Sequence, residues 1–139
     1  MFDSFDEEKL NRAITMSGLV SLINERGIDY ECGENGNGLS GGERQRISIA
    51  CCLLHGTPVM LVDEATAALD AETAFSVTNS ILNLSDLTRI IVTHRLEETL
   101  LKKYDKIIVL RNGSVNEEGT FHELMDKKGY FYSLYTVSQ

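Results

Sequence analysis

The strongest constraint on the fold is the passage Val59-Met60-Leu61-Val62-Asp63-Glu64, four apolar residues in a row ending in two carboxylates. A run this short, preceded by the breaker Gly56-Thr57-Pro58, suits a strand buried on both faces, as in a parallel sheet. Arg89–Val92 reads as a second buried strand, and the stretch from Asp70 to about Leu84 as helix. Upstream, Phe5, Leu10, Ile14, Leu19, Leu22 and Ile23 recur near helical spacing and predict one helix that Gly27 stops. The glycine-rich Cys32–Gly38 passage must be loop, and Ser40-Gly41-Gly42-Glu43 opens a helix to about His55 with a capping-box pattern. Downstream come a short helix over Leu96–Lys102 and a hairpin of Ile107–Leu110 with Ser114–Glu117 about Asn112-Gly113. Two terminal helices over Phe121–Gln139, split near Gly129, complete the chain. Strands alternating with helices predict an α/β layer structure with a more helical first quarter.

Composition removes several alternatives. The 139 residues are one domain's worth, 42% apolar and 24% charged, which is ordinary globular composition. The net charge of −8 and the lack of a basic stripe argue against nucleic acid as a partner. No apolar stretch approaches membrane-spanning length, and Met1-Phe2-Asp3-Ser4 does not open a secretory signal. The three cysteines make no disulfide framework. A soluble cytoplasmic domain, or a piece of one, is expected.

Chemistry concentrates in two passages. In Gly38-Leu39-Ser40-Gly41-Gly42-Glu43 the glycines sit at a helix N-terminus, whose free N–H groups and partial positive charge attract anions. A capped surface helix is the plain alternative, but each glycine costs a helix up to about 1 kcal/mol relative to Ala. Anion binding explains the pair better. In the second passage, Asp63 and Glu64 end a strand at the carboxyl edge of the sheet, where open α/β folds bind ligands. Alternation sends the two carboxylates in opposite directions, so Asp63 can hold Mg²⁺ through its waters while Glu64 acts as general base on a water. A strand simply running into solvent is the alternative. His94 follows Ile90-Ile91-Val92-Thr93 and is expected on the same sheet edge; taken alone, such a histidine is more often structural. Cys51-Cys52 with His55 is read as core packing, because adjacent helical positions point about 100° apart and cannot close a metal site.

These residues resemble one family. Leu39-Ser40-Gly41-Gly42-Glu43-Arg44-Gln45-Arg46 resembles the signature motif of ATP-binding cassette (ABC) proteins, with Glu43 where Gln is commonest. The stretch from Val59 through Asp63-Glu64 to Leu69-Asp70 resembles their Walker B motif running into the D-loop, and Val92-Thr93-His94-Arg95 the switch-histidine segment. Gly33-Glu34-Asn35-Gly36 is similar to the short exporter motif that contacts the membrane domain, and the stretch from Asn112 to Tyr135 is similar to the C-terminal end of an exporter cassette. The resemblance implies two cassettes pairing head to tail around ATP. Leu39, Ser40, Gly41, Gly42 and Glu43 would act in trans on the γ-phosphate, and Glu64 and His94 would be catalytic. Asp63 would serve Mg²⁺, Asp70 would join the two sites, and Glu34 would couple to the membrane-spanning domain. ATP and Mg²⁺ are expected only in the complete cassette, at the cytoplasmic face of the membrane.

No glycine-rich turn ending in Gly-Lys-Ser/Thr occurs in the sequence, so the phosphate cradle of a P-loop is missing. The expected architecture is therefore the C-terminal portion of a P-loop NTPase fold of the ABC type. Residues 1–55 would be part of the helical subdomain, with the signature helix, and residues 56–139 a partial, mainly parallel sheet with helices and a C-terminal hairpin. Alone, the chain should hydrolyse essentially no ATP, and its open sheet edges should favour self-association. Two rivals remain: a non-catalytic cassette half acting as a regulatory partner, and a lobe of an SMC-type or DNA-repair ATPase. The second predicts a heptad segment and a basic face, and neither occurs.

Overall fold

A computed structural model of the chain describes residues 6–85 and 87–138, which fall into two compact units meeting in sequence at Thr93 and His94. Phe5, at the start of the predicted first helix, Gln139 and the residues before Phe5 lie outside the described residues.

In the first unit Val59–Asp63 (β1) pairs in parallel with Thr88–Val92 (β2), with Leu61 opposite Ile90 and Asp63 opposite Val92. Ala71–Leu82 (α4) connects them, capped by Asp70. Its Ala74, Val77 and Ile81 recur at helical spacing and are nearly inaccessible; with Ile49, Met60, Val62 and Leu69 they form the core of the unit. Arg89 of β2 donates to the carbonyls of Ile81, Leu82 and Leu84 at 3.0, 2.6 and 3.1 Å. It thus gives the acceptors at the end of α4 a cation as donor.

The expectation that both strands are buried on both faces does not hold. Met60 and Val62 are buried, but Leu61 is 67% exposed and Ile90 54%, and Val59 and Val92 are exposed with them. Among the described residues the sheet has two strands, and helices pack on one side of it.

The first helical stretch is likewise two helices, Glu7–Met16 (α1) and Val20–Arg26 (α2). Gly18 breaks it, with φ of +71° that an L side chain rarely adopts. Ser17, fully buried, returns its hydroxyl to the Ile14 carbonyl at 3.2 Å. Ala13 and Leu19 pack with Ala50 of Gly41–His55 (α3). A single 3-10 turn, Glu34–Gly36, lies between α2 and α3. Cys51 and Cys52 are exposed on α3, so core packing does not account for them.

In the second unit Ile107–Arg111 (β3) and Ser114–Gly119 (β4) form the antiparallel hairpin. Asn112 and Gly113 both have positive φ, as a type I′ turn requires. Glu98–Leu101 (α5) precedes the hairpin, and Phe121–Lys127 (α6) and Tyr130–Ser138 (α7) follow, divided at Lys128 and Gly129 as expected. Leu101, Val109, Phe121, Leu124 and Phe131 make the core of this unit.

Candidate functional site

Ser40 caps α3 in the manner its sequence predicts. Its hydroxyl accepts from the Glu43 N–H at 3.2 Å, and the Glu43 carboxylate accepts from the Ser40 N–H at 2.6 Å. That backbone donor is the main reason the Glu43 carboxyl lies below its ordinary pKa, with Arg26 and Arg46 adding to it. The cap uses the Glu43 N–H; Gly41 and Gly42 are the first two residues of α3, where a helix offers no acceptor of its own to the N–H groups. Leu39, just before the cap, is buried, and its N–H donates to the Gly36 carbonyl at 3.0 Å.

The two glycines differ in their surroundings. A Cβ on Gly42 would come within 3.1 Å of Leu69 Cδ2 and 3.2 Å of the Ala68 carbonyl oxygen, whereas one on Gly41 would meet only Ala68 Cβ at 3.8 Å. The absence of a side chain at 42 therefore lets Ala68-Leu69 lie directly on α3. Gln45 reinforces this contact, its Oε1 accepting from the Ala68 N–H at 3.2 Å. The helix tip and the segment following Asp63-Glu64 are thus joined within one unit.

Asp63 is the last residue of β1 and is exposed. Strand alternation stops there, because Glu64 has φ of +45°, a left-handed backbone for a residue with a long side chain. Such a conformation costs of order 1–3 kcal/mol and persists only where its surroundings impose it. Here the Glu64 N–H donates to the Val92 carbonyl, and the Glu64 carbonyl accepts from Ala67, at 3.0 and 2.9 Å. The carboxylate pair is therefore set at a bend at the strand's carboxyl end, which two main-chain bonds hold.

Asp70 caps α4: its carboxylate accepts from the Thr73 N–H at 2.9 Å, and this bond lowers its pKa. Glu34 is exposed at the start of the 3-10 turn. His94 is exposed, two residues past the end of β2, and is the first residue of the second unit. The residues from Leu39 to Glu43, the pair Asp63-Glu64 and Asp70 all belong to the first unit. Among the described residues no group of three His, Cys, Asp or Glu side chains is arranged to hold a metal ion. A single carboxylate such as Asp63 fits Mg²⁺ only in the usual manner of that ion, with waters and substrate phosphates completing the shell.

Reading the sequence missed two side chains that organise this region, Arg26 and Gln45. Neither has a local signal, since their partners lie 12 and 23 residues away along the chain.

Residues 5–67 match the model of the ABC transporter family. Over 99% of its length the chain superposes on a bacterial Atm1-family ABC exporter with ATP bound, at a TM-score of 0.85 and 30% identity. Along nearly its whole length the chain is similar to proteins of the ABC transporter family. The ATP-dependent lipid A-core flippases of Vibrio vulnificus (strain CMCP6), Desulfotalea psychrophila and Escherichia coli (strain K12) are 38, 39 and 35% identical to it over 138 residues. These matches take in 97% of the chain but only 23, 24 and 23% of those proteins, and the match to the Atm1-family exporter covers 24% of that chain. The chain thus spans about a quarter of the length of the curated relatives it matches. The α/β class and the ABC-type architecture expected from the sequence are borne out by the family match and the structural superposition. No helix among the described residues is long and apolar enough to cross a membrane.

Proposed function

We propose that the chain serves as part of the ATPase of an ABC exporter, at the cytoplasmic face of the membrane, where ATP hydrolysis drives export. Residues 1–55 contribute part of the helical subdomain and residues 56–139 the C-terminal part of the ATPase core. A second cassette and a membrane-spanning domain are its partners, with Glu34 on the side of the membrane domain. The observation that carries this reading is the union of α3's capped tip with the Asp63-Glu64 bend, through Gln45 and the close approach of Ala68 at Gly42.

In this reading Glu64 accepts a proton from the attacking water as the new oxygen–phosphorus bond forms and the bond from the γ-phosphorus to the β–γ bridging oxygen breaks, giving ADP and phosphate. General-base help of this kind contributes about 10²–10⁴-fold. Asp63 would hold Mg²⁺ through water, and the ion would neutralise phosphate charge. His94 contacts the γ-phosphate. Leu39, Ser40, Gly41, Gly42 and Glu43 present the signature to the nucleotide of the partner cassette, and Asp70 joins the two sites.

Complementation tests the proposal. The full chain is mixed with a fragment of a related cassette that carries the P-loop and ends before the signature. Turnover of MgATP that appears only in the mixture, and disappears with Glu64→Gln, is the expected result. Association without turnover would favour a regulatory half over an enzyme half.

A further inference from the structure

Arg26, the last residue of α2, lies outside every motif named above, yet its guanidinium reaches three groups around the tip of α3. Nη1 donates to the Gly38 carbonyl at 3.1 Å, and Nη2 lies 3.4 Å from Glu43 Oε1. The guanidinium also sits over the Tyr30 ring, 5.1 Å from its centroid, while the Tyr30 hydroxyl donates to the same Gly38 carbonyl at 3.4 Å. Gly38 and Glu43 bracket Leu39–Gly42, so one side chain holds both ends of the stretch that the proposed function directs at a phosphate.

Charge explains why a cation is needed there. Glu43 places a carboxylate in the first turn of α3, beside the N–H groups whose partial positive charge favours an anion. The Glu43 side chain is only 14% exposed and that of Arg26 29%, so solvent screens the pair less than an open surface pair. A lone carboxylate at this tip would repel a phosphate, and the Arg26 guanidinium offsets its charge. We propose that Arg26 is a positioning residue for the signature, neutralising Glu43 and fixing Gly38 so that the Gly41 and Gly42 amides can receive the γ-phosphate of a nucleotide bound by the partner cassette. This rests on the proposed function.

The complemented ATPase reads out the idea through a charge cycle of Arg26→Ala, Glu43→Gln and the double variant, with Arg26→Lys as the conservative change. Gln at 43 keeps the cap, because its side-chain oxygen accepts from the Ser40 N–H as Glu does. Arg26→Ala is expected to raise KM for ATP about tenfold while kcat changes less than about twofold, as for a contacting charge pair broken on one side. Glu43→Gln should restore the Arg26→Ala protein to within about twofold of the starting KM, and Arg26→Lys should retain most of the affinity. An unchanged KM in Arg26→Ala overturns the inference. So does a loss that persists in the double variant, since Arg26 would then act only as a support for the loop. Turnover by the unmodified mixture without this coupling overturns the inference alone; no turnover by the unmodified mixture overturns the proposed function and the inference with it.

Discussion

At the first turn of α3 a methyl group on Gly41 would rest 3.8 Å from Ala68 Cβ, an ordinary contact, while one on Gly42 would press on the Ala68 carbonyl at 3.2 Å. This asymmetry separates packing from ligand binding, and the two substitutions should therefore part company. Gly41→Ala is expected to leave the urea midpoint unchanged or raise stability by up to about 1 kcal/mol, because alanine is the better helix former. Gly42→Ala should lower stability by about 1 kcal/mol or more, since the Ala68 main chain as well as the Leu69 side chain has to yield. If Gly41 faces a phosphate, Gly41→Ala still loses activity in the complemented ATPase; full activity would remove Gly41 from the site. At Gly42 packing adds a second demand, from Ala68 and Leu69, partners too distant along the chain for local spacing to reveal. The cap itself, with Ser40 and Glu43 three residues apart, is local and was readable in full.

At the scale of elements, α7 shows how a short terminal helix is held in place. The Glu117 carboxylate of β4 accepts from the N–H groups of Tyr130 and Phe131, both at 2.9 Å. These bonds, that from Phe131 first, hold the Glu117 carboxyl below its ordinary pKa. A carboxyl whose pKa is depressed by folding contributes stability above its unfolded value, about 4.3, and loses that contribution as pH falls through the lower folded value. The Tyr130 and Phe131 amide resonances should accordingly shift together on acidification, with a midpoint below 4.3, and Glu117→Gln should abolish the transition. A midpoint at or above that value would refute the assignment. The helix at Ser40 and the hairpin were legible because their signals are local: the capping box at Ser40, and Asn112-Gly113 at the turn. The break at Gly18 was not, because Leu10, Ile14, Leu19, Leu22 and Ile23 keep helical spacing across it. Only the main-chain conformation of Gly18 and the buried Ser17 distinguish two helices from one.

At the scale of the whole molecule, each two-stranded sheet covers one face with helices and opens the other. Leu61 and Ile90 in the first unit, and Ile108, Leu110 and Val115 in the second, are all more than half exposed. The runs Val59–Val62 and Ile107–Leu110 specify apolar strands, but periodicity alone does not say how many layers pack on them. That is why Val59–Val62 was expected to be buried on both faces and only one buried face was found. Apolar strand faces beside unpaired strand edges favour pairing with another chain. The chain is therefore expected to self-associate at micromolar concentration, and adding the P-loop-bearing fragment should replace that association with a mixed complex. Leu61→Lys with Ile90→Glu puts opposite charges on paired, exposed positions of the open face. This double variant should sediment as a monomer at concentrations where the unmodified chain does not, with an unchanged far-UV circular dichroism spectrum. A monomeric unmodified chain across the same range would show that the exposed faces do not drive association, and would leave the mixed complex to arise from contacts elsewhere.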